Sequence, residues 1–193
     1  MRNYLESSQY IDWQHAPVQL KAQQLAQGLS GQVNIARRCF EFVRDEIKHS
    51  ADYQMNPVTC AASDVLKYGT GYCYAKSHLL AALLRANDIP AGLCYQRLLI
   101  SDDQTGFCLH GLNALFLEGY GWYRIDARGN KSGVNAQFSP PQEQLAFAIT
   151  TSGEADLPEI WSTPLPVIIS ALQPELTVTD VAENLPDIEV LSI

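Results

Sequence analysis

The run that most constrains this chain is Ala61 to Gly92, AASDVLKYGTGYCYAKSHLLAALLRANDIPAG. Gly69, Thr70 and Gly71 break the turn before them, and from Cys73 to Ala86 apolar residues recur at helical spacing, with Leu79, Leu80, Leu83 and Leu84 on one wide face. The pattern predicts a buried helix that opens at Cys73. A thiol at a helix N-terminus meets unpaired N–H groups and the positive end of the dipole, which favour thiolate over thiol. Cys73 therefore reads as a nucleophile.

The glycine-rich turn, Gly71-Tyr72-Cys73, the helix ending Leu84-Arg85-Ala86 and the exit Ile89-Pro90-Ala91-Gly92 together resemble the core motif of transglutaminase-like proteins. The resemblance implies a papain-like α/β (α+β) fold, with the nucleophile helix packed on an antiparallel sheet and a Cys, His, Asp triad. The matching downstream residues are His110, in Cys108-Leu109-His110-Gly111, and Asp126, in Trp122-Tyr123-Arg124-Ile125-Asp126. It covers the middle third of the chain strongly and the flanks loosely.

The triad also passes a geometric test. Leu93 to Ile100 and Leu109 to Leu117 alternate as strands, the first apolar on both faces and so central. Glu118-Gly119-Tyr120-Gly121 reads as a hairpin turn returning through Trp122 to Asp126. A three-residue connection centred on Gly119 pairs His110 with Arg128 and Asp126 with Leu112, leaving His110 and Asp126 on one face, two residues apart across the ladder. A turn one residue different would put them on opposite faces. The thiolate would attack, the imidazole would move the proton and the carboxylate would orient the imidazole. For the oxyanion, the Cys73 backbone N–H is a natural donor, and Tyr53, Gln54 and Tyr72 are equal side-chain candidates.

Other readings compete for these residues. Cys39, Cys94 and Cys108 suit small buried hydrophobes; His15 and His49 suit surface or loop positions. His78, five residues after Cys73, is turned away from the thiol, and Asp126 with Arg128 could be a plain ion pair. A zinc site from Cys60, Cys73, Cys108 and His110 lacks ligand pairs of metal spacing apart from Cys108-x-His110, so no metal or other cofactor is expected. Closely spaced carboxylates of calcium type are absent too.

Length and charge narrow the setting. The 193 residues, 47% apolar, suit one domain with its core at about 32–135 and an acidic flank at about 136–193. All 13 Lys and Arg precede residue 133, whereas the nine acids after it face no base. That flank still holds Trp161, Leu165, Val167, Ile168, Ile169 and Leu172, enough apolar matter to order it. No basic patch of nucleic-acid-binding type, signal-peptide stretch or membrane-length apolar run occurs, and five cysteines without a Cys-x-x-Cys pair suit reduced thiols. A cytoplasmic protein is expected.

Along the rest of the chain, residues 1–16 suit an extended edge segment, and Pro17 opens a helix running to about Gln27. Gln32 to Lys48 forms a second helix with Val33, Ala36, Phe40, Val43 and Ile47 on one stripe. His49 to Cys60 reads as a loop toward the active centre, and Ser63 as the N-cap of a turn ending at Gly69. Ser101 to Gly106 is a polar turn, 142–149 a helix after Pro140 and Pro141, and Val167 to Leu172 and Thr179 to Asn184 short helices. The expected activity is thiol acyl transfer or hydrolysis at a peptide or glutamine amide of a peptide or protein substrate, with water or a primary amine as acceptor. The alternatives are an inactive binding or assembly module on the same fold, or a thiol acyltransferase with a carrier substrate.

Overall fold

In the computed structural model, which describes residues 1–100 and 106–188, the Cys73 helix is the centre of the molecule. Ahead of it come α1 (Ala16–Ala26), α2 (Gln32–Glu46), β1 (Lys48–His49), α3 (Ser50–Tyr53), α4 (Ala62–Tyr68) and β2 (Thr70–Gly71). The helix itself, α5, spans Cys73–Arg85. After it come β3 (Ala91–Leu99), β4 (Phe107–Leu117), β5 (Gly121–Ile125), β6 (Gln137–Ser139), β7 (Gln142–Gln144), β8 (Ala155–Asp156), α6 (Pro166–Ala171) and α7 (Val178–Glu183). The fold is α+β.

Every residue of α5 is buried, because it packs against α1, α2 and α4 and also against β3 and β4. Leu79, Leu80, Leu83 and Leu84 are wholly enclosed. Each is worth about 1.5–3 kcal/mol of burial, so losing the helix's seat would remove much of a stability of about 5–15 kcal/mol. Each of its buried polar residues makes at least one hydrogen bond, although His78 Nε2 has no partner. Ser77 Oγ donates to Cys73 O (2.8 Å), the His78 ring bonds Cys60 O (2.8 Å), and Arg85 donates to the carbonyls of Glu6, Ala91 and Ser162. His78 thus faces away from the thiol.

The main sheet has the order β5-β4-β3-β8, antiparallel throughout, with β3 in the interior as its two apolar faces require. The β4–β5 register is the expected one: Leu117 opposes Gly121 and Asn113 opposes Ile125 across the three-residue turn. A separate parallel pair, β1 with β2, sets His49 opposite Gly71.

Several segments differ from the sequence reading. Residues 1–16 are not an extended edge; a 3-10 turn at Arg2–Tyr4 and a series of bends bring Tyr4 Oη to Ile160 O (2.9 Å) and bury Ile11. Within 49–60 the α3 turn forms, closed by Gln54 at φ 50°. Ser63 lies inside α4, not at its cap; its N–H donates to Asp12 Oδ1 (3.0 Å), so the N-terminal segment supplies the capping oxygen. Gly69 ends α4 in the left-handed region (φ 67°), as a glycine there allows. Residues 142–149 form no helix: Pro140 and Pro141 turn the chain back so that β7 pairs with β6, which overrides the helical propensity of Gln, Glu and Leu. Most of the polar turn expected at 101–106 lies outside the described residues.

Over its described residues the acidic flank is bound back to the bases of the sheet. Glu143 and Asp156 pair with Arg124, and Asp187 pairs with Arg97. Thr177 and Asp180 form a capping box at α7.

Candidate active site

The β2 strand and the first turn of α5 fix where the sulfur sits. Tyr72 caps the helix in extended conformation, Cys73 is its first residue, and the end of α5 is held against β4 by Tyr74, whose hydroxyl donates to Leu109 O. Gly111 makes this approach possible: a Cβ there would lie 2.9 Å from Tyr74 Cδ1 and 3.0 Å from Tyr74 Cα. The Gly111 N–H in turn donates to Cys73 Sγ at 3.4 Å.

The structure brings Cys73, His110 and Asp126 together. His110 Nε2 lies 2.7 Å from Asp126 Oδ2, and the ring also hydrogen-bonds the Cys73 thiol, for which Nδ1 is the nitrogen left. Asp126 sits just beyond the last paired residue of β5, wholly buried, and accepts further bonds from the N–H of Arg128 (3.1 Å) and Ala146 (3.0 Å). The alternative of an Asp126–Arg128 side-chain ion pair is not formed, because the Arg128 guanidinium binds Asp52. Phe147 meets the His110 ring edge-on, with centroids 5.0 Å apart.

These contacts decide the protonation states. Burial by itself would depress His110, but the charge of Asp126, the neighbouring sulfur and the hydrogen bonds to both raise it to about 10. Burial would likewise raise Asp126, yet the charge and hydrogen bond of His110 and the two backbone donors hold it below its ordinary value. The imidazolium form of His110 is therefore favoured in this setting. The other four thiols, Cys39, Cys60, Cys94 and Cys108, are each pushed up to about 12 by burial. Of these, Cys39 and Cys94 are fully enclosed, whereas Cys108 is half-buried and lines the cleft.

Cys73 opens on a cleft of about 470 Å³, lined largely by apolar groups that include Leu98, Leu109, Phe147 and, from the acidic flank, Ala182 and Leu185. Of the side chains named from sequence for the oxyanion, Tyr53 is exposed and Gln54 donates to Ala51 O (2.7 Å), and neither lines this cleft. Tyr72 lines it, but its hydroxyl donates to Val178 O at 2.6 Å. The Cys73 N–H, at the first helical position, has no intrahelical acceptor. His49, read from sequence as a surface or loop residue, is buried in the cleft wall, because β1 pairs with β2 directly before Cys73. Its only sequence signal would have been a short strand match to Thr70-Gly71. Among the described residues no three His, Cys, Asp or Glu side chains gather where an ion could be held.

A helix-borne thiol facing a strand histidine, with a buried carboxylate behind it, is the arrangement of the papain-like folds. The chain belongs to the transglutaminase-like superfamily, whose family model matches residues 20–127, more than half its length. Among solved structures, a candidate cysteine protease from Cytophaga hutchinsonii superimposes with a TM-score of 0.53 at 18% identity, over 65% of this chain and 40% of that one. The periplasmic domain of TgpA from Pseudomonas aeruginosa gives 0.48 at 18% identity, over 64% and 45%, and a candidate protease from Parabacteroides distasonis 0.45 at 13%, over 72% and 30%. The chain thus spans less than half the length of each of these structures. No curated protein sequence matches it. No helix among the described residues is long and apolar enough to cross a membrane.

Proposed function

We infer that the chain is a thiol acyl-transfer enzyme acting on a carboxamide or peptide bond of a peptide or protein, with Cys73 as nucleophile, His110 as acid and base, and Asp126 as the group that orients His110. The observation that carries this reading is the sulfur's position between the His110 ring and the Gly111 N–H, with Asp126 closing the line behind the ring. The thiolate adds to the carbonyl carbon and an S–C bond forms. As the C–N bond breaks, His110 gives its proton to the leaving amine. Water or a primary amine, deprotonated by His110, then attacks the thioester and releases the thiolate. The Cys73 N–H supports the oxyanion in both steps. Unpaired cysteines throughout support a reducing compartment, the cytoplasm.

Intact-mass measurement after exposure to glutamine-containing peptides, with and without a primary amine, tests the reading. An acyl adduct on Cys73, absent in Cys73→Ala, is expected; its discharge to water or to amine separates hydrolysis from transamidation. Acylation from acyl-CoA alone would indicate a carrier-dependent acyltransferase. No adduct from any donor would leave a binding module on this fold.

A further inference from the structure

Next to the cleft lies a second cavity, of about 370 Å³, which the acyl-transfer chemistry leaves unused. His49 and Arg128 line both, so the two cavities share those side chains as walls. The second one is charged where the first is largely apolar. On its rim Arg44 is matched by Asp45 in a two-point pair at 2.7 and 2.8 Å. Asp52, by contrast, is shared between two cations, Arg128 at 2.6 and 3.0 Å and Lys131 at 2.7 Å. Among the described residues Lys48 and Lys76, on the same walls, hydrogen-bond backbone carbonyls and not carboxylates. Positive charge is therefore in surplus here, in a chain whose net charge is −8.

The buried bases register that surplus. Lys76 is drawn down to about 7, first by burial and then by the charge of Arg128, and His49 is lowered by the same two causes in the same order. Two further features fit a cavity that receives a ligand. His49 is only 7% exposed, yet its Nδ1 has no hydrogen-bond partner; the Asp52 carboxylate is 3.9 Å away, too far to serve. At Gly129 a Cβ would come within 3.3 Å of Arg44 O and 3.5 Å of Lys76 Nζ, so a larger residue would intrude on the floor that glycine leaves open.

Resting on the acyl-transfer reading above, we propose that this cavity is the subsite for a carboxylate of the acyl-donor substrate, borne by an acidic side chain or by a free C-terminus close to the amide that Cys73 attacks. Lys76 and Lys131 supply the charge, and a His49 Nδ1–H supplies a directed donor. On a surface otherwise acidic, the cavity confines attraction for such a group to a spot beside the nucleophile.

The test has two arms. In the first, the wild-type protein is titrated with succinate and, separately, with its neutral diamide, and amide shifts are followed by NMR. Succinate should shift Asp52, Gly129, Asn130 and Lys131 and the diamide should not. Lys131→Glu, at a half-exposed rim position, should weaken succinate about tenfold, equal to about 1.4 kcal/mol. Shifts elsewhere, equal shifts with the diamide, or unchanged affinity in Lys131→Glu overturn the proposal. In the second arm, three glutamine peptides of one sequence are compared for Cys73 acylation: neutral and C-terminally amidated, the same with Glu beside the reactive Gln, and the neutral one with a free C-terminus. One carboxylated peptide should acylate about tenfold faster than the neutral peptide, the gain disappearing in Lys131→Glu, and which one identifies the carboxylate's source. Acylation at equal rates refutes the subsite while leaving the chemistry. A succinate site with no acylation by any peptide refutes the chemistry and leaves a carboxylate-binding cavity.

Discussion

Replacing Gly111 by alanine should disarm Cys73 while leaving every reacting group in the chain. The new Cβ would stand 2.9 Å from Tyr74 Cδ1, 3.0 Å from Tyr74 Cα and 3.2 Å from Tyr74 N. Carbon atoms pack best at about 3.5–4.0 Å, and two of these three neighbours are helix backbone, so the start of α5 must withdraw from β4 by about 0.5–1 Å. Overpacking of this kind costs about 1–3 kcal/mol. The same shift lengthens the Gly111 N–H to Cys73 Sγ contact, 3.4 Å in the wild type, and separates the sulfur from His110. A misplacement of about 1 Å is worth about 100-fold in rate. Iodoacetamide alkylation of Cys73, which depends on the sulfur's contacts with His110 and Gly111, measures the loss without any substrate. Ile168→Ala is the control: it opens a cavity in α6, away from the cleft, at about 2–5 kcal/mol, and should leave alkylation fast. Gly111→Ala alkylating as fast as wild type, or slowing no more than Ile168→Ala, would refute the reasoning.

Asp126→Asn should keep the fold but lower turnover by about 10²–10⁴-fold, and should bring His110 down from about 10; an unchanged histidine titration by NMR would remove Asp126 from its orienting role. Lys76→Met should change the pH dependence of stability. Lys76, lowered from 10.5 to about 7, costs stability fully below pH 7 and ceases to do so above about 10.5. His110, raised from 6.5 to about 10, stabilises fully below 6.5 and loses that contribution as pH rises to about 10. The two slopes oppose each other in the wild type, so between about pH 7 and 8, below the range in which the four buried thiols begin to titrate in the unfolded chain, denaturant midpoints should be nearly flat and should fall with pH in Lys76→Met; parallel curves for the two proteins would count against a buried, destabilised lysine.

What was legible in the sequence was local. The α5 face, the glycine-rich break before it and the three-residue turn at Glu118 to Tyr120 each lie within a few residues of their consequence. The turn alone fixed the β4–β5 register that sets His110 two residues from Asp126. The misreadings are of the opposite kind. The 142–149 segment has the composition of a helix, and pairing with Gln137–Ser139 makes its first three residues, Gln142–Gln144, a strand instead. Ser63 has the chemistry of a cap, but the capping oxygen comes from Asp12. His49 looked like a loop residue because a two-residue parallel strand pairing with Thr70 and Gly71 leaves no periodicity to detect. Lys76 did carry a signal, a lysine three residues after Cys73 on a helix that is apolar apart from Ser77, His78 and Arg85, and burial explains why it matters.

The site is also larger than the segment that defines the family. The family match ends at residue 127, and the three reacting groups lie within it. Part of what holds and encloses them does not. The Ala146 N–H binds Asp126, Phe147 meets the His110 ring edge-on, and Ala182 and Leu185 wall the cleft. The α7 region is fastened there by backbone and side-chain bonds that cross the site: Tyr72 Oη to Val178 O at 2.6 Å, Val178 N to Asn56 Oδ1 at 2.8 Å, and Leu109 N to Pro186 O at 2.7 Å. The first and last of these anchor on residues adjacent to Cys73 and His110, so the flank cannot shift without moving the walls on either side of the sulfur. Arg128 and Lys131, which charge the second cavity, likewise follow the end of the match. On the proposed reading the reacting groups come from the shared core, whereas part of the shape and charge that would choose a substrate comes from chain outside it, joined to His49, Lys76 and Leu109 inside it. Relatives that keep the Cys, His and Asp at these positions are therefore expected to differ in substrate wherever their following segments differ.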